Sequence, residues 1–144
     1  MPKSVLIADD QESVRRILRT ALETAGYSVC AEAVDGFDAL EKATRCSPDL
    51  IVLDLRMPKM SGVEAAAALR NRFPTTPIIL LTMYGAIPAM AAAVGVTIVI
   101  DKSDGATSLV DCVRKLLAEA ADAKKAEPSA PNPPALNSSQ AGRS

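Results

Sequence analysis

Histidine and tryptophan are absent from these 144 residues, and only two tyrosines and two phenylalanines are present. Without an imidazole the chain carries no Ser-His or Cys-His nucleophile pair, no histidine metal ligand and no phosphohistidine of its own. Its three cysteines, Cys30, Cys46 and Cys112, are scattered and odd in number, with no C-x-x-C spacing. That pattern argues against disulfides and thiolate zinc sites and for small core or half-buried residues. Neither sign of charge is in excess: sixteen basic against seventeen acidic residues leave a net charge of −1. Nothing in that balance tracks a phosphate backbone, so direct nucleic-acid binding is not expected. The start, Met1-Pro2-Lys3, leads into an apolar run far shorter than a signal peptide's or than the roughly 18 residues of a membrane span. The expectation is a cytoplasmic protein whose chemistry runs on carboxylates, hydroxyls and lysine.

What is present is a repeated alternation. Four continuous apolar runs, "VLIA" (5–8), "LIVLDL" (50–55), "PIILLT" (77–82) and "TIVI" (97–100), suit parallel strands buried on both faces. A fifth, "YSVCAEA" (27–33), alternates and reads as an edge strand. Between them Val14, Ile17, Leu18, Ala21 and Leu22 follow helical spacing, with Gly26 as the stop. Helices also fit 36–46, ended by Pro48, and 62–73, ended by Pro74. A weak helix fits 85–95, and a long one fits 106–125 with Leu109, Val113, Leu116, Leu117 and Ala120 on its apolar stripe. Five strand-helix units predict an open, doubly wound α/β sheet. From about Asp122 composition shifts: residues 127–144 hold four prolines and no apolar periodicity. Such a segment buries too little to offset its ordering entropy, so the expected division is a domain over 1–121 and a disordered Pro-rich tail over 122–144.

In such sheets, ligands bind beyond the carboxyl ends of the strands. Those ends carry Asp9-Asp10, Asp54, Thr82 and Asp101-Lys102. Carboxylates that converge there repel one another, and a hard divalent cation relieves the repulsion. Mg²⁺ suits an all-oxygen site with one or two carboxylates and a phosphoryl group. Asp9, Asp10, Asp54 and Lys102 together leave two negative charges, which one such ion cancels. A carboxylate can itself be the nucleophile toward phosphorus when metal and lysine neutralise the transferring oxygens. Asp54 is the candidate for that role, and Pro58 and Gly62 are expected to shape the following loop so that the backbone carbonyl of Arg56 reaches the metal.

"LIADD", "VLDLRMPKMSG", "ILLTMY" and "VIDKS" resemble the receiver domain of bacterial two-component response regulators, over roughly residues 3–120. The closest likeness in motif is to receivers tethered to helix-turn-helix domains. The resemblance implies a flavodoxin-like five-stranded parallel sheet in the order 2-1-3-4-5. It implies phosphorylation of Asp54 by a sensor histidine kinase or phosphotransfer protein, with slow autodephosphorylation at most. Asp10 would be the direct metal ligand and Asp9 the one acting through water. Lys102 would pair with the acceptor and then with the phosphoryl oxygens, and the Thr82 hydroxyl would report the group's presence. A homodimer is a further expectation of the family. At the switch position, three residues before the lysine, the family commonly has an aromatic ring, whereas this chain has Val99. That departure supports an alternative, a pseudo-receiver that signals without phosphate. A dehalogenase-like phosphatase needs a second Asp two residues after the nucleophile, where Arg56 stands.

Overall fold

The computed structural model describes residues 2–83 and 95–126. Five strands, β1 (Ser4–Ala8), β2 (Ser28–Ala33), β3 (Leu50–Asp54), β4 (Ile78–Thr82) and β5 (Ile98–Asp101), form one parallel sheet in the order β2-β1-β3-β4-β5. The helices are α1 (Glu12–Thr24), α2 (Gly36–Cys46), α3 (Gly62–Arg72) and α4 (Gly105–Ala126). By packing, the chain divides into Met1–Val113 and Arg114–Ser144. No described helix is long and apolar enough to cross a membrane. The expected helix over 85–95 lies, except for Gly95, outside the described residues, as does the tail from 127 onward. The long helix expected over 106–125 appears as α4, one residue longer at each end, and so overlaps the start of the expected tail.

Every residue of the central strands β3 and β4 is buried, because each has a strand on either side and helices over its faces. Successive side chains point to opposite faces. Leu6, Ala8, Ile51, Leu53, Ile78 and Leu80 therefore share one core with Ala39 and Ala43 of α2 and with Ala65, Ala66 and Leu69 of α3. The small residues on these helices let them lie close against the branched side chains of the sheet. Val5, Ile7, Val52, Ile79 and Leu81 point the other way, the face that Leu18 and Leu22 of α1 and Leu109 and Val113 of α4 help bury. The "TIVI" run corrects the expectation of burial on both faces. As β5 it sits at the sheet's edge, and among its residues Ile98 is exposed.

The helix ends follow local chemistry. After α1, Gly26 takes φ +97, and the Gly26 and Tyr27 amides donate to the carbonyls of Glu23 and Leu22 at 3.0 Å each. This satisfies carbonyls that the last turn would leave unpaired and turns the chain into β2. Ser61 opens α3 with a reciprocal box: its hydroxyl accepts from the Glu64 amide at 3.2 Å, and the Glu64 carboxylate accepts from the Ser61 amide at 3.0 Å.

Candidate acidic site at the strand ends

Asp9 follows β1 directly and is held from three directions. Its amide donates to the Ala33 carbonyl at 3.0 Å, prolonging the pairing with β2 by one bond. Its Oδ1 accepts from the Gln11 amide at 2.9 Å, a side-chain turn that ends the strand and leads into α1. Its carbonyl accepts from the Arg15 guanidinium at 2.8 Å, while Arg15 Nε meets Glu32 of β2 at 3.0 Å. Asp9 is left 1% exposed, whereas its neighbour Asp10 is exposed.

Asp54 is the last residue of β3 and is 5% exposed. The chain then turns through Leu55, whose amide donates to the Leu81 carbonyl at 2.8 Å and whose carbonyl accepts from the Gly62 amide at 2.9 Å. Gly62 closes that loop and is the first residue of α3, as the helix expected over 62–73 implies. A Cβ there would stand 2.2 Å from the Asp54 carbonyl oxygen and 2.8 Å from Leu80 Cδ1. The residue is glycine because the helix starts against the backbone of the candidate acceptor. The left-handed residue of the intervening loop is Lys59, with φ 69. Arg56 lines an open hollow there with Asp10, Leu55, Met57, Pro58 and Ser61.

Thr82 ends β4, buried, in register with Asp101 of β5. Asp101 caps a single 3-10 turn, Lys102–Asp104, by accepting from the Ser103 amide and hydroxyl at 2.9 and 2.8 Å. That turn directs Lys102 back over the sheet edge, where its Nζ lies 2.9 Å from Asp9 Oδ2 and 3.0 Å from Asp54 Oδ1. Val99, three residues earlier, is half-buried, pairs with Leu80 and packs on the α2-α3 core, away from the acids.

One oxygen from each of Asp9, Asp10 and Asp54 lies within 4.8 Å of the others, the single such group of acids among the described residues. Burial, with Asp9 and Asp10 close by, pushes the Asp54 carboxyl above its ordinary range despite the hydrogen bond from Lys102. Burial pulls the Lys102 ammonium down, but its hydrogen bonds to Asp9 and Asp54 outweigh that and leave it raised. Three hard oxygen donors with one ammonium remain short of positive charge, and that donor set fits Mg²⁺. Both Asp9 oxygens already accept hydrogen bonds, from Gln11 and Lys102.

The site therefore gathers Asp9, Asp10, Asp54 and Lys102, with Thr82 at the neighbouring strand end. Sequence reading missed Arg15, Glu32 and the packing role of Gly62. Only the glycine, two residues short of a helix-favouring glutamate and next to a serine cap, left a trace in the sequence.

The comparisons agree with this geometry. The response regulator receiver domain model matches residues 5–114. The alkaline phosphatase synthesis transcriptional regulatory protein PhoP of Bacillus subtilis is 45% identical over 82 residues, covering 57% of this chain and 34% of that protein. The chemotaxis protein CheY of Thermotoga maritima is 36% identical over 85 residues, covering 59% of this chain and 71% of that protein. The chain thus spans only about a third of PhoP's length. Among solved structures, the chemotaxis protein CheY4 of Vibrio cholerae superposes with a TM-score of 0.76 at 32% identity, covering 81% of this chain and 99% of that one. Receiver domains are phosphoacceptor switches that bind Mg²⁺ at an acidic pocket and generally take their phosphoryl group from histidine kinases or phosphotransfer proteins. Matched over most of its length, with the sheet order and the acidic strand ends in place, this chain belongs to the response regulator receiver domain family.

Proposed function

We propose that residues 1–121 act in the cytoplasm as a phosphorylatable receiver, which takes a phosphoryl group on Asp54 from the phosphohistidine of a sensor histidine kinase or phosphotransfer protein and changes conformation in response. The observation that carries this reading is the Lys102 ammonium bridging two buried carboxylates, Asp9 and Asp54, beside the exposed Asp10. An Asp54 oxygen attacks phosphorus, the phosphorus–nitrogen bond breaks, and the imidazole leaves with that electron pair. Lys102 holds Asp54 in place beforehand and, with three N–H donors, has one to offer a phosphoryl oxygen afterwards. Mg²⁺, when bound, neutralises charge on the transferring oxygens. Asp10, Asp54 and the Arg56 carbonyl would hold it directly. Asp9, both of whose oxygens already accept hydrogen bonds, would act through water. Thr82 would sense the new group through its hydroxyl, and hydrolysis in the same pocket would be slow.

Output would pass by the switch position, Val99, and a homodimer fits the family, with no direct contact to nucleic acid. Val99 carries no ring to turn inward, and this favours a second reading, an interaction module that keeps the fold without using phosphate.

Incubation with Mg²⁺ and a small acyl phosphate, read by intact mass, decides between the two. The receiver reading expects one added phosphoryl group in the parent and none in Asp54→Asn. Equal labelling of the Asn variant overturns the site, and no labelling at millimolar Mg²⁺ favours the interaction module.

A further inference from the structure

Two cysteines meet away from the acids. Cys30 lies on β2 and Cys46 is the last residue of α2, and their sulfurs are 2.8 Å apart. That is within about 1 Å of a disulfide's bond length of roughly 2.05 Å. Backbone features of this chain produce the approach. The β1-β2 register steps between Val5 and Leu6, which pair with Val29 and Ala31, so Cys30 is the extra residue of a bulge. A bulged residue is re-aimed relative to its neighbours. The helix meanwhile stops at Cys46 because Ser47 turns left-handed, φ 46, ahead of Pro48. Both thiols are half-buried and neither takes part in the acidic site. Burial, reinforced by Cys46, pushes the Cys30 thiol up to about 12. Cys30 is therefore held as the thiol and must shed its proton as it attacks.

We propose that Cys30 and Cys46 are a modification site, closing to an intramolecular disulfide when a peroxide supplies the oxidant and reopening with a dithiol reductant. Peroxide places a hydroxyl on the Cys46 sulfur in place of its hydrogen and leaves as water. The Cys30 sulfur attacks that sulfur, the sulfur–oxygen bond breaks, and the hydroxide departs with the Cys30 proton as a second water. Two thiols are oxidised, one peroxide is reduced, and one sulfur–sulfur bond forms. The bond ties β2 to the end of α2 near the start of the sheet, at the edge opposite Asp9 and Asp54. It does not depend on whether Asp54 is phosphorylated.

The test uses the full chain carrying Cys112→Ser, treated with one equivalent of hydrogen peroxide. Titratable thiols should fall from two to none, the intact mass should drop by two hydrogens, and proteolysis should yield a single crosslinked peptide pair containing Cys30 and Cys46. Closing a loop of this size should raise the melting temperature by roughly 10 °C, reversed by dithiothreitol. In Cys30→Ala on the same background, Cys46 should persist as a sulfenic acid captured by dimedone. Both thiols remaining free overturns the proposal, as does oxygen addition without crosslinking or a crosslink found only between chains.

Discussion

Replacing Lys102 by methionine separates two roles that one ammonium holds in this site. Methionine fills similar volume without charge, so the change isolates the two contacts, 2.9 Å to Asp9 and 3.0 Å to Asp54. At 3 Å each contact carries about 5 kcal/mol of attraction at an effective dielectric of about 20, most of it offset by desolvation. Removing one partner of a buried pair costs about 3–5 kcal/mol, because charge is left behind without compensation. Lys102 keeps 15% of its side chain exposed, so the lower end, about 3 kcal/mol, is the better guide. In Mg²⁺-free buffer the variant should melt roughly 10 °C below the parent. Mg²⁺ should reverse this ordering of effects, since ammonium and cation compete for the same oxygens. Losing a nearby positive charge should tighten Mg²⁺ binding about tenfold, or about 1.4 kcal/mol. The added cation should then recover more stability in the variant than in the parent, by mass action on the folded state. Calorimetric titration with Mg²⁺ and paired melting curves provide the assay. Equal or weaker Mg²⁺ affinity in Lys102→Met, with equal metal stabilisation of both proteins, would refute the idea that Lys102 stands in for the ion.

Two further outcomes follow from burial at the same edge. Gly62→Ala forces a Cβ against the Asp54 carbonyl at 2.2 Å, so strand or helix must shift. A cost of about 1–3 kcal/mol is expected, read as a lower melting temperature together with slower labelling of Asp54 by an acyl phosphate. An unchanged melt would mean that the contact has slack. For Asp54, the folded carboxyl is raised, chiefly by burial. The stability tied to it is complete below the unfolded value of about 3.9 and is lost as pH rises through the raised folded value. Asp54→Asn, which cannot ionise, escapes that loss. Without Mg²⁺ the Asn variant should therefore melt above the parent at neutral pH, with the gap closing on acidification. A parent as stable as the variant at neutral pH would contradict the raised carboxyl.

The strands were legible because the sheet is parallel. Residues 50–53 and 78–81 are apolar without interruption since both faces are covered, and the polar residues that end each run, Asp54 and Thr82, mark the ligand edge. The helices could be read from glycine and proline stops, and 36–46 appears with the bounds expected. Legibility failed wherever a feature depends on register or on long-range approach. Nothing in the identity of Cys30 announces a bulge, because the step lies in its pairing with β1. Arg15 is one of several arginines on α1, and only the turn at Asp9 brings its guanidinium to that residue's carbonyl. The exposure of Ile98 was hidden for a similar reason: composition says that a strand is apolar, not which of its residues are covered.

The contact between Gly62 and the Asp54 carbonyl makes the end of β3 and the start of α3 a linkage without play. The Ser61–Glu64 box clamps the helix on one side of it, and the Leu55–Gly62 hydrogen bond closes the loop on the other. A load applied at Asp54 cannot be absorbed locally there. It is passed along the helix as a rod or returned to the strand.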